Sequence, residues 1–391
     1  MKKDLELYVH IPFCVRKCAY CDFLSFSCSA QKREAYTEAL KREIREAFPA
    51  GGAAADFDSY RVTTVFFGGG TPSVLPGAQI AAILQELRTR FCFAPDAEIS
   101  IECNPGTADQ DKLKLYRASG INRLSIGLQS ADDGELAQLG RIHTWADFCR
   151  TYEAARDVGF DNINIDLMSA LPGQTQDSWE QTLHRVLACR PEHISAYSLI
   201  IEEGTPFYEK YGKDDERRAR GETPRYLPDE ETERQMYERT QQLLAGAGLH
   251  RYEISNYAKD GYECRHNKGY WQGVPYLGFG LGASSFFGQV RWHKTQDLNA
   301  YLAGDFSAQE TQLLTEKEQI EEFMYLGLRL AEGVSEDDFF RRFGKRVDET
   351  YETVLERQLR LGLLEKRDGR IRLTPRGMDL SNMVMAEFLL P

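Results

Sequence analysis

Cys14-Val15-Arg16-Lys17-Cys18-Ala19-Tyr20-Cys21 gathers three of the chain's nine cysteines within eight residues. The spacing is C-x3-C-x2-C, and the stretch follows a short apolar run, Leu5 to Ile11, whose composition predicts a strand. Three thiolates on one tight post-strand loop can converge on one metal centre. Zinc and an iron–sulfur cluster are the principal alternatives. A structural zinc site takes four tetrahedral ligands, and no second pair of zinc-like spacing accompanies this loop. An iron–sulfur cluster is usually held by four cysteines. Three would leave one iron without a protein ligand, and an open iron can bind a small chelating molecule.

Downstream of the loop, strands and helices alternate. Ala30 to Phe48 has helical periodicity, and Pro49 to Asp56 is small and Gly/Ala-rich, a loop. Val62 to Phe67 predicts a buried strand that runs into Gly68-Gly69-Gly70-Thr71, followed by a helix over Gly77 to Arg90. Further strands are predicted over Glu98–Glu102, Arg123–Gly127, Asn162–Met168 and His193–Leu199. Helical sequence fills the gaps: Asp109–Ser119, Asp132–Leu139, Trp145–Val158 and Gln176–Cys189. Six strands alternating with helices imply a parallel sheet with right-handed crossovers. About 200 residues are too few for a complete eight-stranded barrel, so the pattern fits a partial (β/α)6 barrel.

Chemistry in such a barrel sits on the loops after the strand C-termini. The cysteine loop, Gly68 to Thr71, Glu102, Gln129 and Asp166 all fall there. The glycines suit either a tight turn or a close approach of backbone to a ligand. Glu102 and Asp166 suit helix caps, or carboxylates that accept from ribose hydroxyls. Gln129 and Arg141 can be exposed residues or site residues.

The chain has 391 residues, of which 42% are hydrophobic and 28% charged, and its formal net charge of -12 disfavours a general nucleic-acid binder. No run of eighteen apolar residues occurs, so no transmembrane segment is expected. Met1 to Leu7 has no apolar signal region. An odd number of cysteines without a signal fits a reducing compartment, so a cytoplasmic location is expected. Cys92, Cys149 and Cys189 read as packing residues of helices or their ends.

Beyond the barrel, Glu202–Phe207 reads as a loop and Lys210–Glu233, with Pro224 and Pro228, as an exposed connection. A helix over Glu230–Ala247 and a short strand over Arg251–Ser255 follow. Tyr276 to Gly288 is glycine-rich and apolar and reads as a flexible wall against a ligand or the barrel. Three helices are predicted over Thr315–Leu330, Glu336–Phe343 and Asp348–Leu361. A hairpin turning at Asp368-Gly369 and a last helix opened by Pro375 complete a winged-helix-like α+β unit.

The cysteine loop resembles the signature of the radical S-adenosylmethionine (SAM) family. The wider string from Tyr8 through Cys14 to Phe23, together with Gly140-Arg141-Ile142-His143, resembles the oxygen-independent coproporphyrinogen III oxidase branch and most nearly its heme chaperone subfamily. The resemblance implies a radical SAM barrel with its extension over residues 1–300, and a C-terminal domain over 301–391. It implies a [4Fe-4S] cluster on Cys14, Cys18 and Cys21, with SAM chelating the open iron. It places Tyr8, Tyr20, Gly69, Gly70, Thr71, Glu102, Gln129, Arg141 and Asp166 at the SAM-contacting positions.

His266-Asn267-Lys268-Gly269-Tyr270-Trp271 matches the H-N-x-x-Y-W pattern associated with heme in that subfamily. A neutral imidazole can ligate heme iron, and Tyr270 and Trp271 offer flat faces to a porphyrin. A core histidine hydrogen-bonded beside packed aromatics is the other reading of the same residues. Cys264 stands two residues upstream as a candidate second ligand. The implied function is a heme chaperone that carries heme as cargo and hands it to apo-hemoproteins. Its other implied partners are an electron donor for the cluster and, at the level of assembly, a homodimer; nucleic acid is not among them. The alternatives are a coproporphyrinogen III dehydrogenase using a 5'-deoxyadenosyl radical, or a radical SAM enzyme acting on another substrate. The oxidases resemble C-x3-C-x2-C-x-C, and Phe23 occupies the position of the additional cysteine. The oxidases also carry a longer N-terminal extension, whereas seven residues precede Tyr8 here. Both departures favour the chaperone.

Overall fold

The structure is a computed structural model that describes residues 2–47 and 59–390. The predicted loop over residues 49–56 lies outside the described residues. So does the last residue of the first predicted helix.

The order of elements through the barrel is β1 (Lys3–Ile11), α1 (Ala30–Glu46), β2 (Tyr60–Gly69), α2 (Gly77–Arg90), β3 (Phe93–Cys103), α3 (Gln110–Ser119), β4 (Arg123–Gln129), α4 (Asp133–Gln138), α5 (Trp145–Asp157), β5 (Ile163–Ser169), α6 (Gln176–Ala188) and β6 (His193–Ser198). These six strands lie side by side in sequence order, all parallel. Residues on both faces of β1, β4 and β5 are buried, as a parallel sheet covered by helices requires. Helix starts follow from local chemistry. Ser29, Asp109 and Asp132 accept from backbone N–H groups of the first turns, and Thr144 and Thr175 open capping boxes.

The extension contains α7 (Pro206–Ala219), α8 (Glu230–Gly246), β7 (His250–Arg251), β8 (Asn256–Ala258), α9 (Arg265–Gln272), β9 (Tyr276–Phe279), β10 (Ser284–Phe287), β11 (Val290–His293), α10 (Leu298–Ala303) and β12 (Gln309–Leu313). β9 joins the free edge of β1 in parallel, and β10, β11 and β12 add antiparallel strands beyond it. β8 and β7 extend the other edge from β6, giving a twelve-stranded sheet. The main sheet therefore continues past residue 300.

Three expectations are corrected here. The stretch read as an exposed connection contains α7, which begins with a Thr205 cap and Pro206 in its first turn. The single strand expected over Arg251–Ser255 is instead two short strands, β7 ending at Arg251 and β8 beginning at Asn256. The glycine-rich stretch from Tyr276 lies against the barrel as expected, but as a pair of sheet strands rather than a flexible segment. Helix α1 locks it to β1: the Tyr36 hydroxyl donates to His10 O (2.8 Å) and accepts from Leu281 N (2.9 Å). Buried Glu43 accepts from Gly280 N (2.8 Å) and from the Tyr301 hydroxyl (2.6 Å). Cys149 and Cys189 pack against the core as expected, whereas Cys92 is exposed between α2 and β3.

The C-terminal part holds α11 (Glu316–Gly327), β13 (Val334–Ser335), α12 (Glu336–Phe343), α13 (Val347–Arg360), β14 (Leu364–Arg367), β15 (Arg370–Leu373), α14 (Pro375–Asp379) and α15 (Ser381–Ala386). β14 and β15 form the expected hairpin, and β13 pairs with β15 as a third strand. Ile320, Met324, Phe339, Tyr351, Ile371 and Phe388 belong to a core of their own. Helix α9 touches both β2 and α11, so it is the contact between barrel and C-terminal part that bears on the site. Among the described residues, no helix is long and apolar enough to cross a membrane.

Candidate functional site

The cysteine loop leaves β1 and returns on itself. Cys14 N donates to Phe26 O (3.1 Å) and Phe26 N to Pro12 O (2.9 Å), so the loop is closed at its base. Its far side is clamped by elements from elsewhere in the chain. Ala19 N donates to Leu139 O at the end of α4 (3.1 Å), and Phe207 N in α7 donates to Ala19 O (3.0 Å). The Tyr20 ring meets the edge of Phe207, with centroids 6.3 Å apart. Helix α7, missed in the sequence, thus holds the middle of the cysteine loop.

The glycine turn after β2 presses directly on this loop. Gly70 N donates to Ile11 O (2.9 Å) and Thr71 N to Phe13 O (2.8 Å). A Cβ on Gly70 would come within 2.9 Å of the backbone of Phe13. Gly69 has φ +111, and a Cβ there would lie 2.5 Å from the His10 imidazole. Both positions therefore require glycine for close approach.

Side chains that follow β2, β3 and α4 connect two of the cysteines. The Cys14 thiol lies 3.4 Å from the Thr71 hydroxyl. Asn104 Nδ2 donates to Thr71 Oγ1 (2.9 Å), and Arg141 Nη2 donates to Asn104 Oδ1 (2.9 Å) and to Gly127 O. Arg141 Nη1 donates to Cys18 Sγ (3.5 Å). Sequence reasoning does not mark Asn104 as a site residue. The signal that could have marked it is its place directly after β3, matching Gly70 after β2.

Cys14, Cys18 and Cys21 line one cavity of about 360 Å3. Tyr20, Gly69, Gly70, Thr71, Glu102, Gln129, Arg141 and Asp166 line the same cavity, so the barrel brings together eight of the nine residues expected around SAM. Tyr8 is the exception. Its hydroxyl pairs with His10 Nδ1 (3.2 Å), and it lines two other cavities. Gln129 adopts φ 74, a left-handed conformation unusual for a side chain of this kind, at the end of β4. Phe23 stands on the rim, 64% exposed.

Three thiols facing one cavity beside an arginine fit an iron–sulfur cluster, because a cation favours the thiolate form that ligates iron. Among the described residues no three His, Cys, Asp or Glu side chains are gathered tightly enough to hold a single ion. Burial pushes the Cys21 thiol up.

Burial works against the charged form of both acids. Burial, and then the nearby Asp166, push Glu102 up to about 8. Burial also raises Asp166, against hydrogen bonds from Asn164 (2.8 Å) and Ser125 (3.0 Å). Between the ordinary carboxyl range and about pH 8 the folded chain keeps a proton on Glu102 that the unfolded chain has lost. Stability from this group is therefore present at low pH and falls as pH rises through that window. Urea unfolding of the metal-free protein should show a loss on the order of a few kcal/mol between about pH 5 and pH 8. Glu102→Gln should flatten that slope; an unchanged slope would show that Glu102 is not the group responsible.

The H-N-x-x-Y-W segment is α9, set against the inner half of the barrel. Its first turn is capped from β3, where Glu98 accepts from Arg265 N (3.0 Å) and His266 N (3.3 Å). The His266 ring is 1% exposed. Nδ1 pairs with the Thr64 hydroxyl (2.6 Å) and Nε2 with the Tyr270 hydroxyl (3.0 Å). Its face stacks on Phe66 at 5.2 Å. Burial, and then the charge of Arg123, lower it to about 3, so the imidazole is neutral. Both ring nitrogens are occupied and the ring is enclosed: this is the arrangement of a core histidine. Cys264 is buried beside Glu98, its thiol 3.6 Å from Oε1. Asn267 faces the same interior cavity as His266, whereas Trp271 lines a different one and Tyr270 borders both.

The radical SAM superfamily model matches residues 8–186, and the HemN C-terminal domain model matches residues 314–380. Heme chaperone HemW of Bacillus subtilis is 36% identical over 387 residues, covering 98% of both chains. Heme chaperone HemW of Escherichia coli is 38% identical over 280 residues, covering 71% of this chain and 69% of that protein. Among solved structures, coproporphyrinogen III oxidase (HemN) from Escherichia coli superposes with a TM-score of 0.81 at 24% identity, over 99% of this chain and 90% of that one.

Proposed function

Since this chain belongs to the radical SAM superfamily, and within it to the HemW group, we propose that it is a heme chaperone carrying a [4Fe-4S] cluster and SAM. In this reading it binds heme as cargo and passes it to apo-hemoproteins. The observation that carries the reading is kinship with a heme chaperone across 98% of both chains.

Cys14, Cys18 and Cys21 would hold three irons of the cluster and leave the fourth open. When bound, the cluster supplies a one-electron reductant beside SAM. The chain's own residues prepare the site. Arg141 donates to Cys18 Sγ and so fixes the position of that sulfur. Gly69 and Gly70 pack against His10 and Phe13 where no side chain would fit, which fixes the turn that borders the cavity. Glu102 and Asp166 are the carboxyls that would meet ribose hydroxyls. Tyr20, Thr71 and Gln129 complete the wall around SAM. An electron donor for the cluster is an implied partner.

Phe23, rather than a cysteine, stands at the rim of this cavity, which supports the chaperone over the dehydrogenase. The reading is tested by titrating heme into the reconstituted protein. It expects saturable binding at one site per chain. A strictly linear, non-saturating response would refute it.

A further inference from the structure

Between the barrel and the C-terminal part lies a cavity of about 420 Å3, larger than the cysteine cavity. Its size falls within the range of about 300–1,000 Å3 found for small-molecule sites. Helix α9, strands β9 and β10, and helices α11 and α12 enclose it. Its walls are aromatic: Tyr270, Trp271, Tyr276, Phe286 and Phe323 all line it. Tyr270 and Tyr276 meet edge to face with centroids 4.7 Å apart, and Phe286 lies 6.3 Å beyond Tyr276.

The charges in this cavity are unbalanced. Arg291 is paired with Glu322 through two contacts of 2.9 and 3.0 Å. Arg342 reaches solvent and borders the cavity, yet among the described residues no carboxylate lies within ion-pair distance of it. Its guanidinium is flanked instead by the rings of Phe343 (5.6 Å) and Phe323 (6.0 Å). Trp271 contributes a second unmet group, because its buried indole N–H has no acceptor in the structure.

The cavity is also connected to the barrel. Tyr8 and Tyr270 border both it and an inner cavity of about 190 Å3. Glu102, Ser125, Asp166 and Tyr197 border both that inner cavity and the cysteine cavity. Three spaces thus follow one another from the cysteine loop to the C-terminal part.

We propose that this interdomain cavity is the cargo site, where a porphyrin lies against the aromatic walls of α9, β9 and β10 and a propionate pairs with Arg342. The proposal rests on the heme chaperone reading and adds to it a place, a charge partner and a division within the motif. Tyr270 and Trp271 face the cargo. His266 holds the Tyr270 hydroxyl from behind and is a positioning residue. A flat, largely apolar ring system with an anionic edge matches an aromatic cavity with one unpaired cation at its border.

Metal-free protoporphyrin IX separates these contacts from any bond to iron. The full chain, with cluster content as the control for folding, is titrated with it while tryptophan fluorescence is read. Wild type should bind saturably with quenching, and Trp271→Phe should lose most of the quench. Arg342→Leu should weaken binding about ten-fold or more, with partial recovery in Arg342→Lys. Ser284→Phe, which narrows the cavity from an exposed position on β10, should weaken it at least as much. Wild-type affinity in both Arg342→Leu and Ser284→Phe would overturn the proposed site while leaving the chaperone reading intact. If Arg342→Leu does not fold, Ser284→Phe decides alone. Absence of any saturable binding of porphyrin or heme to wild type would overturn both.

Discussion

Replacing Cys18 by alanine abolishes the brown iron–sulfur chromophore of the anaerobically reconstituted protein, and Cys14→Ala and Cys21→Ala do the same. Each residue is one of three thiols facing a single cavity, and a cluster that already lacks a fourth protein ligand has no spare attachment. Cys18 carries a further consequence because Arg141 donates to its sulfur. Removing it leaves a buried guanidinium with Asn104 and Gly127 as its remaining partners. Iron analysis provides the readout: each single variant should retain well under the wild-type iron content. A triple variant that still binds four irons per chain would refute the assignment.

Arg123→Met has the largest expected effect on stability. Arg123 begins β4 and is 2% exposed, deep in the inner half of the barrel. Glu98 is among the groups whose charge acts on it, and Glu98 in turn caps α9. No carboxylate among the described residues lies within ion-pair distance of Arg123, so removing the cation withdraws a longer-range positive charge from Glu98 and Asp166, a loss on the order of 3 kcal/mol for a charge deleted from the interior. Urea unfolding should register that loss, and Arg123→Lys should recover part of it. A shift below about 1 kcal/mol, the scale of an exposed ion pair, would show that Arg123 is not balancing buried charge.

The barrel was legible because its signals are local and repeated. Each of β1 to β6 is a short apolar or β-branched run, and most of the helices between them open with a capping residue. The placement of Gly69, Glu102 and Gln129 in the C-terminal halves of their strands, and of Asp166 at the midpoint of its own, followed from the topology alone. What escaped depended on distant partners. The apolar face of α7 is only a short stripe, with Phe207 and Tyr211 embedded among charges, and its burial depends on Tyr20 nearly two hundred residues earlier. Strands β9 and β10 were obscured by glycines whose low strand propensity is outweighed by pairing with β1 and anchorage to Tyr36 and Glu43.

The orientation of α9 was the hardest feature to read. A hexapeptide with a histidine and two aromatics suggests a ligand and two flat faces. Which way each points is decided by Glu6, Thr64 and Glu98 on the first three strands. A Cβ on Gly269 would meet the Glu6 carboxyl at 1.9 Å, so the helix sits directly against β1. That contact turns His266 inward, and Tyr270 and Trp271 toward the C-terminal part.

The central claim is that the chain delivers heme and does not transform a porphyrinogen. It is tested most directly by giving the same reconstituted preparation, with SAM and a reductant, two assays in parallel. One follows heme transfer to an apo-hemoprotein by absorbance, and the other follows coproporphyrinogen III by product analysis. The account predicts heme transfer and no decarboxylated product. Conversion of coproporphyrinogen III at an enzymatic rate would contradict it.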